Sequence, residues 1–202
     1  MELLGNFRPE DLAKVKNLEK QILFALAASL TAAAQAGQAA AIAAIQQTFT
    51  VRTSWFEKGN RFGIKVQPAK RDTLVATIST RAWWLADHES GQNRDPRRNF
   101  IAVPTEAVKR SKRDLITAST RRKLLDPGNQ NVFRLETRKG LVLATRTKQG
   151  KGSKLQVLFG LEPEVHIKKQ STFFDPIQKT VQQTFPEIFP QKLKQAISTA
   201  KS

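Results

Sequence analysis

Apolar residues recur at spacings of three and four from Leu12 through Val15, Leu18, Ile22 and Leu26 to Leu30, the period of one face of an α-helix. Ahead of them Pro9, Glu10 and Asp11 suit a first helical turn, where proline loses no hydrogen bond and carboxylates meet the positive end of the helix dipole. Past Leu30 the face continues as Ala33, Gly37, Ala40 and Ala44 and closes on Ile45 and Phe49. Small residues four apart admit a second backbone, so this half predicts close packing on a helix or a sheet. A helix of about 38 residues would reach nearly 60 Å at 1.5 Å per residue, longer than a compact domain of this size. It is expected either to break near Gly37 or to project toward neighbouring subunits.

Alternation with a period of two follows. Phe62, Ile64 and Val66 alternate with Gly63, Lys65 and Gln67, and after the turn Pro68 to Asp72 the residues Leu74, Ala76 and Ile78 alternate with Val75, Thr77 and Ser79, which predicts an antiparallel hairpin with one buried face. Val132 to Glu136 and Leu141 to Thr147, joined at Lys139-Gly140, predict a second hairpin, and Leu155 to Phe159 a fifth strand across the Gly150-Lys151-Gly152-Ser153 loop. At the C-terminus Asp175 reads as a cap and Pro176 as the first helical residue. Ile177, Val181, Phe185, Ile188, Phe189, Leu193 and Ile197 form an apolar face interrupted at Pro186 and Pro190. The fold class is α+β: a long N-terminal Ala-rich helix, an antiparallel sheet of about five strands and a C-terminal helix, in a single domain spanning 1–202.

Charge changes this picture. The 34 Lys and Arg against 17 Asp and Glu give +17, a surplus that speaks about partners rather than fold. Residues 1–50 hold four basic and four acidic side chains, residues 51–160 hold 24 and nine, and residues 161–202 hold six and four, so the surplus belongs to the middle. It is densest in Arg94, Arg97, Arg98, Lys109, Arg110, Lys112, Arg113, Arg121, Arg122 and Lys123, opposed only by Asp95, Glu106 and Asp114. Gly91, Asn93, Pro96, Asn99 and Pro104 accompany them, which predicts an irregular excursion between the strand groups rather than a helix stripe. These cations are the candidate contact for DNA or for an acidic partner, and charge alone leaves both open.

By contrast, the 31 residues Gln21 to Val51 carry no charge, and 12 of the 20 from Ala25 to Ala44 are alanine. The length would span a bilayer. Gln35, Gly37 and Gln38 at its centre and the weak hydrophobicity of alanine favour a packing helix, so no membrane partner is expected. The balanced charge ahead of it does not read as a secretory leader.

Candidate chemistry is thin. With no cysteine, thiolate nucleophiles, disulfides and Cys-ligated metals are excluded. Asp87-His88-Glu89 is adjacent in sequence and does not converge on one point; it reads as a solvated polar turn after a buried Trp83-Trp84. His166 reads as a half-exposed strand end. Gly150 to Lys154 lacks the spacing of a phosphate-binding loop and reads as a hairpin turn. No finger or aromatic ribonucleoprotein signature for base readout is present. No enzyme, metal or cofactor is expected.

Several segments together resemble a known group. The Ala-rich helix, its exit Thr50-Val51-Arg52-Thr53-Ser54-Trp55, and Ala82-Trp83-Trp84-Leu85-Ala86-Asp87-His88-Glu89-Ser90-Gly91 are similar to tail-completion and minor tail proteins of long-tailed bacteriophages, the minor tail protein Z family among them. In that group an aromatic–Ala–x–x–x–Glu–x–Gly segment follows the first strands, here from Trp84 to Gly91 with Leu85 at the alanine position, and a Phe-x-Pro opens the last helix, here Phe174-Asp175-Pro176. Ile101-Ala102-Val103-Pro104, Lys109 to Thr117 and Asn131-Val132-Phe133-Arg134-Leu135 are similar to a prophage branch of these proteins. The resemblance implies a virion structural protein: a homo-oligomer in the tail that contacts other tail or neck proteins, takes part in tail assembly and head–tail joining, and resides in the host cytoplasm during assembly. A nonspecific DNA-binding protein using the basic segment 94–123 is the alternative.

Overall fold

The computed structural model describes residues 9–57, 59–96, 100–147 and 153–199. The chain divides into two compact units, residues 1–89 with 170–202, and residues 90–169. The fold is α+β throughout.

In the first unit α1 (Pro9–Thr48) runs unbroken for 40 residues, so it does not break at Gly37. It packs along α4 (Phe174–Thr199) and against the antiparallel pair β1 (Lys65–Gln67) and β2 (Thr77–Ser79). The face it buries is not the leucine face. Ala25, Ser29, Ala33, Gly37, Ala41 and Ile45, each four residues from the last, are all buried, whereas Leu18 is exposed and Leu26 and Leu30 are half-buried. Residues four apart form one ridge, and a ridge this small lets the neighbours come close. A Cβ on Gly37 would stand 3.2 Å from Val181, 3.3 Å from Ile177 and 3.3 Å from Ile78. The hydroxyl of Ser29 donates to the Ala25 carbonyl at 2.7 Å, so its burial leaves no donor unsatisfied. Gln38 Nε2 donates to the Ile64 carbonyl at 2.6 Å, and the Ala69 amide donates to Thr31 Oγ1 at 3.0 Å, which ties the strand pair to the helix.

The expected first hairpin is present with shorter strands than its alternation predicts, because Phe62 and Ile64 turn inward before β1 begins. Ile64 joins Ala41, Ile45, Phe56, Ala82, Leu85 and Phe173 in the core of this unit, and the half-buried Phe62 packs against it. Trp84 packs edge-on against Trp55 (5.4 Å) and Phe62 (4.8 Å). Trp83, expected to be buried, is 51% exposed; in the helix α2 (Trp83–Ser90) successive side chains point about 100° apart, and the helix turns Trp84 and Leu85 to the core and leaves Trp83 at its edge.

Helix α4 passes through Pro186 and Pro190, so the expected interruption does not occur. Gln182, Pro186 and Pro190 lie four apart and are all exposed, and the carbonyls that lose their usual donor are on the wet side of the helix. Phe185 and Phe189 stack on the other side, with centroids 5.8 Å apart.

The second unit is built on a four-stranded antiparallel sheet in the order β4 (Ile101–Pro104), β7 (Leu155–Glu162), β6 (Gly140–Arg146), β5 (Val132–Thr137). A two-residue pair, β3 (Asn93–Arg94) with β8 (Val165–His166), lies beside it in sequence. The register pairs Leu143 with Phe159 but Ala144 with Val157, leaving Leu158 as a bulged residue on β7. On the β4 side of β7 the Leu158 carbonyl accepts the Thr105 amide at 2.9 Å, and Thr105 Oγ1 donates to the Val157 carbonyl at 2.7 Å. These two bonds anchor the chain as it leaves β4.

Candidate polyanion-binding surface

From that anchor the segment 105–125 folds over one face of the sheet. Val108 inserts with Leu158 and Phe159 into a second core, and Ile116, Leu124 and Leu125 pack against it beside Ala102, Val132 and Leu143. Along the way Ser111 and Leu115 close a tight turn through an amide–carbonyl bond of 2.8 Å and a second from the Leu115 amide to Ser111 Oγ at 3.2 Å. Thr117 then caps α3 (Ala118–Leu125) by accepting the Thr120 amide at 3.2 Å. Asn129 Nδ2 donates to the Lys123 carbonyl at 2.9 Å near its other end. The excursion is thus not irregular: it contains β4 and α3. Its turn residues end the elements but do not prevent them, because the apolar pairs Ala107-Val108 and Leu124-Leu125 supply docking points.

This anchoring decides where the cations go. Lys109, Lys112 and Arg113 are exposed in the loop, and Arg121, Arg122 and Lys123 are exposed on α3. Arg110 is half-buried and pairs with Asp114, Nη1 to Oδ1 3.4 Å. Arg94 stands apart from this group in the fold: it sits half-buried in β3, opposite Val165. Arg97 and Arg98 lie outside the described residues. The 94–123 set therefore reduces to a loop cluster and a helix cluster on one docked segment, with Arg94 held in a strand pair.

Further cations belong to the same unit. Arg134 is exposed on β5, Arg146 on β6, Arg138 and Lys139 in the turn between them, and Lys154 just before β7. The Arg146 guanidinium lies 5.9 Å from the Phe133 ring centroid, on the sheet face opposite Arg134, since neighbours along a strand alternate. Arg134 was legible as a polar position within an apolar strand. Nothing in the sequence placed it beside α3.

The remaining polar clusters have structural roles. Asp87-His88-Glu89 is not a solvated turn; all three lie half-buried in α2. The Glu89 carboxylate accepts the amides of Thr172 (2.6 Å), Phe173 (2.7 Å) and Phe174 (3.3 Å), and the Thr172 hydroxyl at 3.3 Å. The N-terminus of α4 is therefore capped by a residue 83 positions upstream, and Asp175, the expected cap, lies inside the first turn. The His88 ring meets Phe49 edge-on at 4.8 Å. His166 is exposed, with Nδ1 2.7 Å from Asn93 Oδ1. Residues 148–152 of the glycine loop lie outside the described residues; at its base Thr147 donates its amide to the Lys154 carbonyl at 3.1 Å. Among the described residues no group of three or more His, Asp or Glu could hold a metal ion. The stretch Asn17–Thr48 of α1 is long and apolar enough to cross a membrane, with a third of its most apolar window buried inside the protein.

No family model matches the chain, and comparison with curated proteins and with solved structures gives no match either.

Proposed function

We propose that this chain is a structural subunit of a long-tailed bacteriophage virion, a tail-completion or minor tail protein that takes part in tail assembly and head–tail joining and acts by assembly rather than catalysis. The observation that carries the reading is the docked basic segment. Its apolar residues are spent on the sheet, so its exposed cations form a fixed face suited to a polyanionic surface, whether an acidic neighbour or DNA in the tail passage.

The two motifs on which the resemblance rests also have a common structural reason. Glu89 of the Trp84 to Gly91 segment accepts the amides that lead into Phe174-Asp175-Pro176, so each requires the other for α4 to start where it does. The charge-free part of α1 from Gln21 onward offers a neutral surface, with Phe24 exposed, on which copies of a strongly basic chain can meet without like-charge repulsion.

Mass spectrometry and immunogold labelling of purified particles test the proposal. It expects the chain in a small, fixed copy number in the tail, and particles lacking it in the tail overturn it. The second reading, a free nonspecific DNA-binding protein, is favoured by the same cations. It expects log affinity for duplex DNA to fall with log salt at about −0.9 per phosphate neutralised, and no retention of DNA at moderate salt removes it.

A further inference from the structure

All four strands of the main sheet and the end of α3 border a groove of about 610 Å³, within the size range of sites that take a ligand or a short peptide segment. Ala102, Leu161, Leu143 and Val132, one from each strand, and Leu124 and Leu125 of α3 line it. Its polar lining is Arg134 and Asp126. Asp126 already accepts the Gly128 amide at 3.0 Å, so its carboxylate is engaged in the local turn. Arg134 is exposed and shares a strand face with Val132, two residues before it. Arg121 precedes Leu124 and Leu125 by three and four residues, which places it on the same side of α3. Arg122 and Lys123 are exposed beside it, and α3 contains no acidic residue.

We infer that this groove is a docking site for a short acidic segment of a partner protein, one carrying apolar side chains among its carboxylates. The inference deepens the assembly reading by giving the basic face a protein partner, and rests on that reading only in taking the partner to be a neighbour in the tail. Two features select the occupant. A phosphodiester backbone gains from the cations but leaves an aliphatic floor unused, and single-stranded bases ask for aromatic platforms rather than leucine and alanine. An acidic amphipathic segment uses both: apolar anchors fill the floor, and carboxylates reach rim guanidiniums that bind them in two-pronged fashion. A second copy of this chain is the wrong charge, since residues 90–169 hold nineteen Lys and Arg against seven Asp and Glu, a net +12.

The test uses the full chain and two fluorescently labelled synthetic peptides of about twelve residues, equal in length and charge, one with Glu interspersed with Leu and Phe and the other with serine at every apolar position. A labelled DNA duplex is the third probe. At physiological salt the Leu/Phe peptide is expected to bind about tenfold or more tightly than the serine peptide, and Arg134→Glu to remove most of that affinity. Amide chemical-shift changes on the unmodified chain should centre on residues 100–102, 124–134, 143 and 161, which keeps the proposal testable if the variant folds poorly. Equal affinity for the two peptides overturns it, as do shift changes confined to Lys109–Arg113. Duplex DNA that binds more tightly than the Leu/Phe peptide and displaces it also overturns it, by making the groove part of a nucleic-acid face. Absence of the chain from particles would refute the tail assignment while leaving these peptide measurements intact.

Discussion

Replacing Glu89 tests whether one carboxylate holds the start of α4. It accepts two short hydrogen bonds, 2.6 Å from the Thr172 amide and 2.7 Å from the Phe173 amide, and both residues are buried. Alanine in place of an ordinary helix cap costs about 1 kcal/mol, up to about 2, and a hydrogen bond to a charged acceptor contributes roughly 1.5–3 kcal/mol. Glu89→Ala leaves both amides without their acceptor where water reaches poorly, and should cost about 3 kcal/mol. Glu89→Gln keeps one oxygen and should cost about 1 kcal/mol. All three tryptophans, Trp55, Trp83 and Trp84, lie in the first unit, so tryptophan fluorescence in a urea titration reports the unit that contains the cap. With a slope of about 2 kcal/mol/M, the midpoint should fall by about 1.5 M for alanine and about 0.5 M for glutamine. An alanine variant that unfolds within about 0.3 M of the unmodified chain, at unchanged slope, would refute the assignment of this contact as the cap.

Three further outcomes follow from particular contacts. Gly37→Leu should destabilise the first unit by about 2 kcal/mol or more in the same titration through overpacking, whereas Gly37→Ala should stay within about 1 kcal/mol because the better helix propensity of alanine offsets a tight but yielding contact. Gly91 has φ +67° and its Cβ position lies 2.7 Å from Lys169 Cβ; Gly91→Ala should lower stability by about 2 kcal/mol, read by the thermal midpoint in circular dichroism. The triple change Arg121→Glu, Arg122→Glu and Lys123→Glu touches only exposed side chains. It should leave the thermal midpoint within a few degrees and elute from a heparin column at clearly lower salt; unchanged elution would exclude α3 from the polyanion face.

Much of the architecture was legible along the chain because the signals were local. Pro9 with its acidic followers marks the start of α1, and the charge-free alanine run marks its continuation. The Lys139-Gly140 turn sits between two alternating runs that became β5 and β6. What was not legible depended on partners far away in sequence. Leu18 and Leu26 carry more hydrophobicity than Ala25 or Ser29, yet the small residues are buried, because α4 and the β1–β2 pair approach too closely for leucine. The helix α3 hides among Arg121, Arg122 and Lys123, and only Leu124 and Leu125, docked on the sheet, give it a reason to form. Trp83-Trp84 reads as one buried unit until a helix sets Trp84 against the core and leaves Trp83 exposed.

For the candidate surface, the cation positions were countable from the start, but their grouping was not. Arg94 belongs to a strand pair, Arg110 answers Asp114, and Arg134 comes beside α3 only because β5 sits at the edge of the same sheet. The boundaries in charge at 51 and 160 and those of the compact units at 90 and 169 do not coincide, since charge density follows the chain while compactness follows which segments find each other.

By itself the sequence determined the fold class, the long helix with its charge-free stretch, most of the strands and the lack of thiol chemistry, because period, turn residues and composition act over a few neighbouring positions. The tertiary structure alone decided which face of α1 is buried, that a glutamate in α2 caps α4, and that the basic excursion is pinned to a sheet beside an apolar groove. Each of these rests on close packing or hydrogen bonding between residues tens of positions apart, and the energy that selects them exists only once both partners are in place.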